Sequence, residues 1–172
     1  HNDSFYEILQ LRNKKIRYLQ RIFSFGVNFF LSVFVGFIFL ICVPFVFVLN
    51  LFFNRGPLFY SQKRVGQFGK EFKIYKFRSM VVNAEEAGAM MATKNDNRIT
   101  PFGRILRLFR IDELPQILSV IKGDMQFIGP RPERKVFVNQ LNKMIPFYNV
   151  RHLIKPGITG WAQVKYKYGE NL

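Results

Sequence analysis

Between Ile22 and Asn54 the chain carries no charged residue: IFSFGVNFFLSVFVGFIFLICVPFVFVLNLFFN. A straight helix of that length reaches about 50 Å at about 1.5 Å per residue, against about 30 Å of bilayer hydrocarbon. A helix apolar on every side for so long does not suit the core of a small soluble protein. A signal peptide fits less well, because the run is too long and no small-residue cleavage site follows it. Hydropathy therefore predicts membrane insertion. Pro44 lies inside the run, where it removes one helical hydrogen bond and crowds the preceding turn, giving a kink or a break. Both flanks are basic, with Arg12, Lys14, Lys15, Arg17 and Arg21 before and Arg55, Lys63 and Arg64 after. Positive charge marks the cytoplasmic side, so both ends favour the same side. A helix that enters, bends at Pro44 and returns satisfies this. On the residues alone, a kinked helix that spans the membrane remains the alternative.

The remainder is polar and strongly basic. Lys and Arg total 26 against 11 Asp and Glu, a formal net charge of +15. Such an excess suits polyanionic surroundings: nucleic acid, anionic lipid headgroups or phosphorylated substrates. At 172 residues there is room for one globular domain and an extra element. The natural division is a basic segment 1–21, a membrane segment 22–54 and a polar domain 55–172. Cys42 is the single cysteine, so an intrachain disulfide is excluded and no Cys/His cluster offers a zinc site. The histidines are His1 and His152, and His152 has no nucleophile motif to serve. The chain begins with His, which suits a fragment or a processed product.

The polar domain reads as α/β or α+β. Leu58–Tyr60 and Phe72–Phe77 have strand character, with 65–70 as a hairpin turn. Its GQFGK lacks the spacing of a phosphate-binding loop, and no long helix follows. Ala84–Met91 reads as an amphiphilic helix and Lys94–Thr100 as a polar loop. Pro101–Phe109 reads as a helix with Ile105, Leu106, Leu108 and Phe109 on one side, and Leu114–Ile121 as another ending at Lys122-Gly123. Glu133–Asn142 and Pro146–His152 suggest further short helices. Residues 155–163 form a rigid loop carrying the lone Trp161, which suits either packing or a membrane interface.

Adjacent acids, Asp112-Glu113, stand among Arg104, Arg107 and Arg110, with Arg131 following between two prolines. Carboxylates ringed by arginines suit phosphate chemistry, as metal ligands or a nucleophile with cations for the substrate. Asp112 equally suits the cap of a helix with Pro115 in its first turn. The Gly-Pro-Arg-Pro run cannot be helical and presents Arg131 on an extended backbone, fit to grip a phosphate or to pair with Asp124 or Glu133.

In order, GPLFYSQKRVG (56–66), KFRSM (76–80), RIDELPQ (110–116), KGDM (122–125), GPRPE (129–133) and KPGITGWAQV (155–164) follow the proline-containing apolar run. Over residues 20–168 this resembles the bacterial sugar transferases, the monotopic phosphoglycosyl transferases. The resemblance implies transfer of a sugar-1-phosphate from a UDP-sugar donor to a polyprenyl phosphate acceptor such as undecaprenyl phosphate, with release of UMP. That is the first membrane step of exopolysaccharide, capsule, O-antigen or glycoprotein glycan assembly. It implies a re-entrant membrane helix beneath a mostly helical α/β (α+β) domain, at the bacterial inner (cytoplasmic) membrane with the catalytic domain cytoplasmic. By match of motif, Asp112 is the nucleophile and Glu113 its partner, and together they are the candidate Mg2+ ligands. Arg107 is associated with the polyprenyl phosphate and Arg131 with the donor phosphates. Lys76 and Arg78 form a basic pair near the site, and Pro130 and Gln163 complete the candidate substrate contacts. Pro44 matches the helix-breaking proline, although Val43 stands where the family often has Ser. No nucleic-acid partner is implied, and a homo-oligomer is compatible. Residues 165–169, KYKYG, replace the Asn-Gly-Arg of many small members and resemble longer ones, which tilts the expected sugar towards glucose. Members also continue with a further aromatic and apolar stretch, leaving open whether this chain is a complete enzyme. A membrane-tethered basic module binding anionic lipid or nucleic acid, without catalysis, is the rival. It leaves the Asp-Glu pair and the Pro-Arg-Pro presentation unexplained.

Overall fold

A computed structural model of the chain describes residues 14–86, 88, 90 and 96–165. The basic segment 1–13, residues 91–95 and all but the first residue of KYKYG therefore lie outside the described residues.

Helix α1 runs from Lys14 to Phe53 with Pro44 inside it, and Lys14–Arg21 forms its first two turns. The part from Tyr18 to Phe53 is long and apolar enough to cross a membrane. Its large side chains mostly point outward: Phe23, Phe30, Leu40 and Phe52 are all exposed. The exceptions define a seam. Phe39 and Val46 are buried against the polar domain, with Val35 and Val43 packed beside them. The Phe39 ring lies 5.9 Å from that of Phe77 and 6.4 Å from that of Phe59, an aromatic joint between helix and sheet.

The domain is α+β, as the sequence suggests. Strands β1 (Phe59–Val65) and β2 (Glu71–Phe77) form an antiparallel hairpin, Phe59 opposite Phe77 and Val65 opposite Glu71. A 3-10 turn, Gln67–Gly69, joins them, so the glycine-rich turn is a hairpin connection and no phosphate loop. Helix α2 (Pro101–Leu108) starts with Thr100 accepting from the Gly103 amide at 3.0 Å and Pro101 in its first turn. A 3-10 turn, Ile111–Gln116, leads into α3 (Ile117–Ile121), which stops at Gly123 in a left-handed conformation, φ +83°. Strands β3 (Gln126–Ile128) and β4 (Gly157–Thr159) pair in parallel. Between them lie α4 (Lys135–Met144) and a 3-10 helix, Tyr148–Leu153; α5 (Trp161–Lys165) follows β4. Phe77, Phe102, Leu106, Ile117, Val120 and Met125 make the core.

Three expectations need correction. Ala84–Glu86 forms turns rather than a helix, with amides bonding three residues back (Ala84 to Val81, Glu86 to Asn83), and Gly88 is left-handed at φ +97°. Glu85 is drawn away to Tyr60, Gln62 and Arg134. On α2, the buried stripe is Phe102, Gly103 and Leu106, while Ile105, Leu108 and Phe109 are exposed. A Cβ on Gly103 would lie 1.9 Å from the Ser79 carbonyl oxygen, so the absent side chain sets which face docks. Asp112 caps no helix: the residue before the 3-10 turn is Arg110, and Asp112 lies within the turn.

Candidate active site

The strand end at 76–80 feeds three different places. Lys76 reaches forward, its Nζ donating to Glu113 Oε1 at 2.8 Å. Phe77 turns into the core, 1 % exposed. Arg78 goes to the end of α1. It donates to Pro57 O at 2.7 Å, to Asn54 Oδ1 and Met80 O at 3.1 Å each, and to Asn54 O, while Asn54 Nδ2 returns a bond to Arg78 O at 2.8 Å. Arg78 is thus not brought to the carboxylates; it closes the last turn of the apolar helix. β2 ends at Phe77, so the alternation that would put residues 76 and 78 on one face stops between them. Ser79 Oγ accepts from Arg107 Nε at 2.8 Å, fixing that arginine from α2.

Arg110, between α2 and the 3-10 turn, has φ +58°, a left-handed conformation that is strained for a residue with a Cβ. This sharp turn brings Asp112 and Glu113 inward side by side, 6 % and 8 % exposed. Their environments differ. Glu113 Oε1 accepts from Lys76 at 2.8 Å and from Arg131 at 2.9 Å, and Oε2 lies 3.7 Å from Arg110. Burial alone would raise its pKa, but Lys76 and Arg131 outweigh burial and hold it down to about 2. Asp112 Oδ1 is buried without a hydrogen-bond partner. Burial pushes the Asp112 carboxyl above its ordinary value, with Glu113 adding to the rise and Lys76 opposing it. One carboxylate is paired with three cations; its neighbour is desolvated, with Oδ1 lacking a hydrogen-bond partner.

A cavity of about 340 Å³ reaches Glu113 of the pair, lined also by Val35 of α1 with Leu114, Phe127 and Ile158, and by Arg110, Thr159 and Gln163. Gln163 Nε2 donates to Ile158 O at 3.3 Å, and its Oε1 is buried without a partner. Pro130 stands one residue from Arg131, its carbonyl accepting from the Gly157 amide at 3.0 Å. Arg131 pairs with Glu113 rather than with Asp124 or Glu133. Trp161 is exposed.

The family profile described as "Bacterial sugar transferase" matches residues 17–172. The chain belongs to that family. Among curated members, the UDP-N-acetylgalactosamine-undecaprenyl-phosphate N-acetylgalactosaminephosphotransferase of Aeromonas hydrophila is 53% identical over 115 residues, covering 67% of this chain and 27% of that protein. The UDP-glucose:undecaprenyl-phosphate glucose-1-phosphate transferase of Xanthomonas campestris pv. campestris is 49% identical over 118 residues, 68% of this chain and 24% of that protein. The enzyme of that same name from Escherichia coli strain K12 is 44% identical over 117 residues, with 68% and 25% covered. The chain spans about a quarter of the length of these relatives of the sugar transferase family.

Sequence reasoning missed several residues that build the site. Asn28, Asn50 and Asn54 are polar positions in an apolar helix, a signal that marks inward-facing contacts. Asn28 Oδ1 accepts from the Phe127 amide at 2.9 Å beside the cavity, and Asn50 Nδ2 donates to Gly56 O at 3.0 Å. Arg64 and Arg151, which hold the Pro-Arg-Pro loop, carried no signal beyond their charge.

Proposed function

We propose that the chain transfers a sugar-1-phosphate from a UDP-sugar to undecaprenyl phosphate, with release of UMP, through an aspartyl-phosphosugar intermediate. The contrast between Asp112 and Glu113 carries this reading: a desolvated carboxylate with one oxygen unpartnered stands beside one paired with cations. An Asp112 carboxylate oxygen attacks the β-phosphorus of the donor. The bond from that phosphorus to the oxygen bridging to the α-phosphate breaks, and UMP departs with that oxygen and the electron pair. A phosphate oxygen of undecaprenyl phosphate then attacks the same phosphorus, and the Asp112 carboxylate leaves unchanged.

Arg131 grips the donor phosphates and Arg107 serves the acceptor phosphate, while Lys76 holds Glu113 in place. The cavity walled by Val35 of α1 suits the first part of an isoprenoid tail entering from the lipid side, with Gln163 at its polar end. The residues also fit Mg2+. Asp112 Oδ1 is an unclaimed buried oxygen, and Glu113 would supply a second carboxylate in exchange for part of its pairing with Lys76, Arg131 and Arg110. Such an ion takes one or two carboxylates and completes its shell with substrate phosphates and water. Among the described residues no cluster of three or more His, Cys, Asp or Glu gathers, and the donor's phosphates would supply further ligands. When bound, the ion would neutralise charge on the diphosphate as a carboxylate approaches. UMP release from UDP-sugars and undecaprenyl phosphate, undiminished in excess EDTA, would remove the ion from the scheme.

On the same reading α1 is re-entrant at the bacterial inner membrane and the domain is cytoplasmic. Its support is that Asn28, early in the apolar run, and Asn54, at its end, both bond to the one polar domain. Arg21→Cys and Arg55→Cys, each combined with Cys42→Ser, should both resist a membrane-impermeant thiol reagent applied outside intact cells. Labelling of one end alone would establish a spanning helix.

A further inference from the structure

Proline at 130 and at 132 removes the backbone N–H from the residue on either side of Arg131. Carbonyls are therefore the main handles by which this backbone can be held, and all of them are held. Pro130 O accepts from the Gly157 amide at 3.0 Å, and Glu133 O from the Val65 amide at 2.9 Å. Pro132 O accepts from Arg64 Nη1 at 3.3 Å, and Arg131 O from Arg151 Nη2. Four consecutive carbonyls are thus anchored to β4, β1 and the 3-10 helix after α4. Two of the anchors are backbone amides that any sequence supplies; the other two are arginine side chains.

Each of these arginines is itself fixed at a second point. Arg64 Nη1 also donates to Glu133 Oε2 at 3.3 Å. Arg151 stacks its guanidinium 4.7 Å from the centre of the Tyr148 ring, and its Nη1 donates to the Tyr148 hydroxyl. A guanidinium can serve two acceptors in a rigid plane, which a lysine ammonium on a flexible stem does less well. Arg131 in turn reaches Glu113 Oε1 from the loop so held. We infer that Arg64 and Arg151 are positioning residues for Arg131: they lock the Pro-Arg-Pro backbone so that its guanidinium meets the diphosphate of a nucleotide-sugar donor. The inference rests on the donor role proposed for Arg131.

The test compares Arg64→Met and Arg151→Met with Arg131→Ala and with the double variants, using the full chain in lipid nanodiscs. UDP affinity is measured by titration calorimetry, and phosphosugar-enzyme formation from radiolabelled UDP-sugar without acceptor. Each single variant should weaken UDP binding and slow adduct formation by about 10- to 100-fold, the loss of one charge-assisted contact. Transfer from preformed adduct to undecaprenyl phosphate should be unchanged, and Arg151→Lys should rescue only in part. Adding either Met substitution to Arg131→Ala should cost nothing further. Additive losses would mean that Arg64 and Arg151 touch the phosphates themselves, and equal slowing of both half-reactions would mean general damage; each overturns the inference. Hydrogen exchange provides a readout independent of the reaction. The Val65 and Gly157 amides, which donate to Glu133 O and Pro130 O, should exchange faster in Arg151→Met while the rest of β1 and β2 stays protected, and unchanged exchange there would also overturn the inference. A wild-type chain that binds UDP but forms no adduct would instead break the proposed mechanism, with UDP binding and hydrogen exchange still testing the clamp.

Discussion

Helix α1 and the polar domain are built inside-out with respect to each other. On α1 most phenylalanines and leucines point outward, while Asn28 and Asn50, with Asn54 just past its end, find partners at Phe127, Gly56 and Arg78. In the domain the apolar side chains are inside, and the charges that join them there are sorted into pairs: Lys76 and Arg131 on Glu113, Arg64 on Glu133, Arg98 on Asp96. Both regions obey one rule, that a buried polar atom is kept where a partner meets it. Asp112 Oδ1 is the one carboxylate oxygen that breaks the rule among the described residues. Satisfied polar groups hold the two regions together; among the buried atoms without a partner, Asp112 Oδ1 is the one on a carboxylate, and there chemistry is expected.

The largest effect should come from removing that exception. Asp112→Asn keeps the shape of the side chain and disturbs no cap, yet an amide is a poor nucleophile towards phosphorus. UMP release should fall by about a thousandfold or more, with melting temperature and membrane fraction unchanged. Wild-type turnover in this variant would reduce Asp112 to a structural residue. Next in size is the joint between the regions. Arg78→Met strips donors from Asn54 O, Asn54 Oδ1, Pro57 O and Met80 O together. Leaving several buried acceptors unpaired should cost about 3–5 kcal/mol of stability, read as the shift of a denaturation curve in nanodiscs. A shift below about 1 kcal/mol would show that the helix end is held by Phe39, Phe59 and Phe77 instead.

The two regions also differed in how far the sequence disclosed them. α1 could be read from composition, because a charge-free run admits few structures. The hairpin was legible from its strand-forming residues and its turn, and α2 from its apolar residues, although not which of them face inward. The site was legible only as motifs. KFRSM named Lys76 and Arg78 as a basic pair, but the strand ends between them and sends Arg78 to the helix end. Nothing in RIDELPQ said that Arg110 would adopt φ +58° and drop both acids into the interior. The glycines of GPRPE and KPGITG look like flexible turns, yet they are close approaches: a Cβ on Gly157 would lie 2.1 Å from the Gly129 nitrogen. Long-range fit of this kind leaves no period in a sequence. The helix expected from Ala84 is replaced by turns over Ala84–Glu86 for the same reason, since Glu85 is claimed by Tyr60, Gln62 and Arg134 from other elements.

A smaller effect should separate the two arginines proposed to hold phosphates, Arg131 and Arg107. Arg131→Ala should block formation of the phosphosugar-enzyme. Arg107→Ala should still form it from radiolabelled UDP-sugar and pass it on slowly. Losing one charge-assisted contact is worth about 1.5–3 kcal/mol, or roughly ten- to a hundredfold. Equal defects in both half-reactions for both variants, reproduced by salt, would assign the two arginines to anionic lipid alone.

The smallest effect should be at the weaker of the two attachments of α1. At its end Asn54 both donates to Arg78 O and accepts from Arg78 Nη1. Earlier in the run Asn28 makes one contact to the domain, its Oδ1 accepting from Phe127 at 2.9 Å, while its Nδ2 donates to Ser24 O at 2.7 Å within the helix. Asn28→Leu leaves the Phe127 amide unpaired, a loss of about 1–3 kcal/mol, but adds an apolar side chain to an apolar helix, which offsets part of it. Hydrogen bonds to membrane helices average about 0.6 kcal/mol net, so a change near 1 kcal/mol is expected, against more than that for Asn54→Leu. Because Phe127 also lines the cavity with Val35 and Ile158, the functional trace should fall on the acceptor step and spare adduct formation. Equal stability losses for the two asparagines would abolish the distinction between a firmly held end and a lightly docked leg. A silent Asn28→Leu would mean that the first leg of α1 is held by its apolar seam alone.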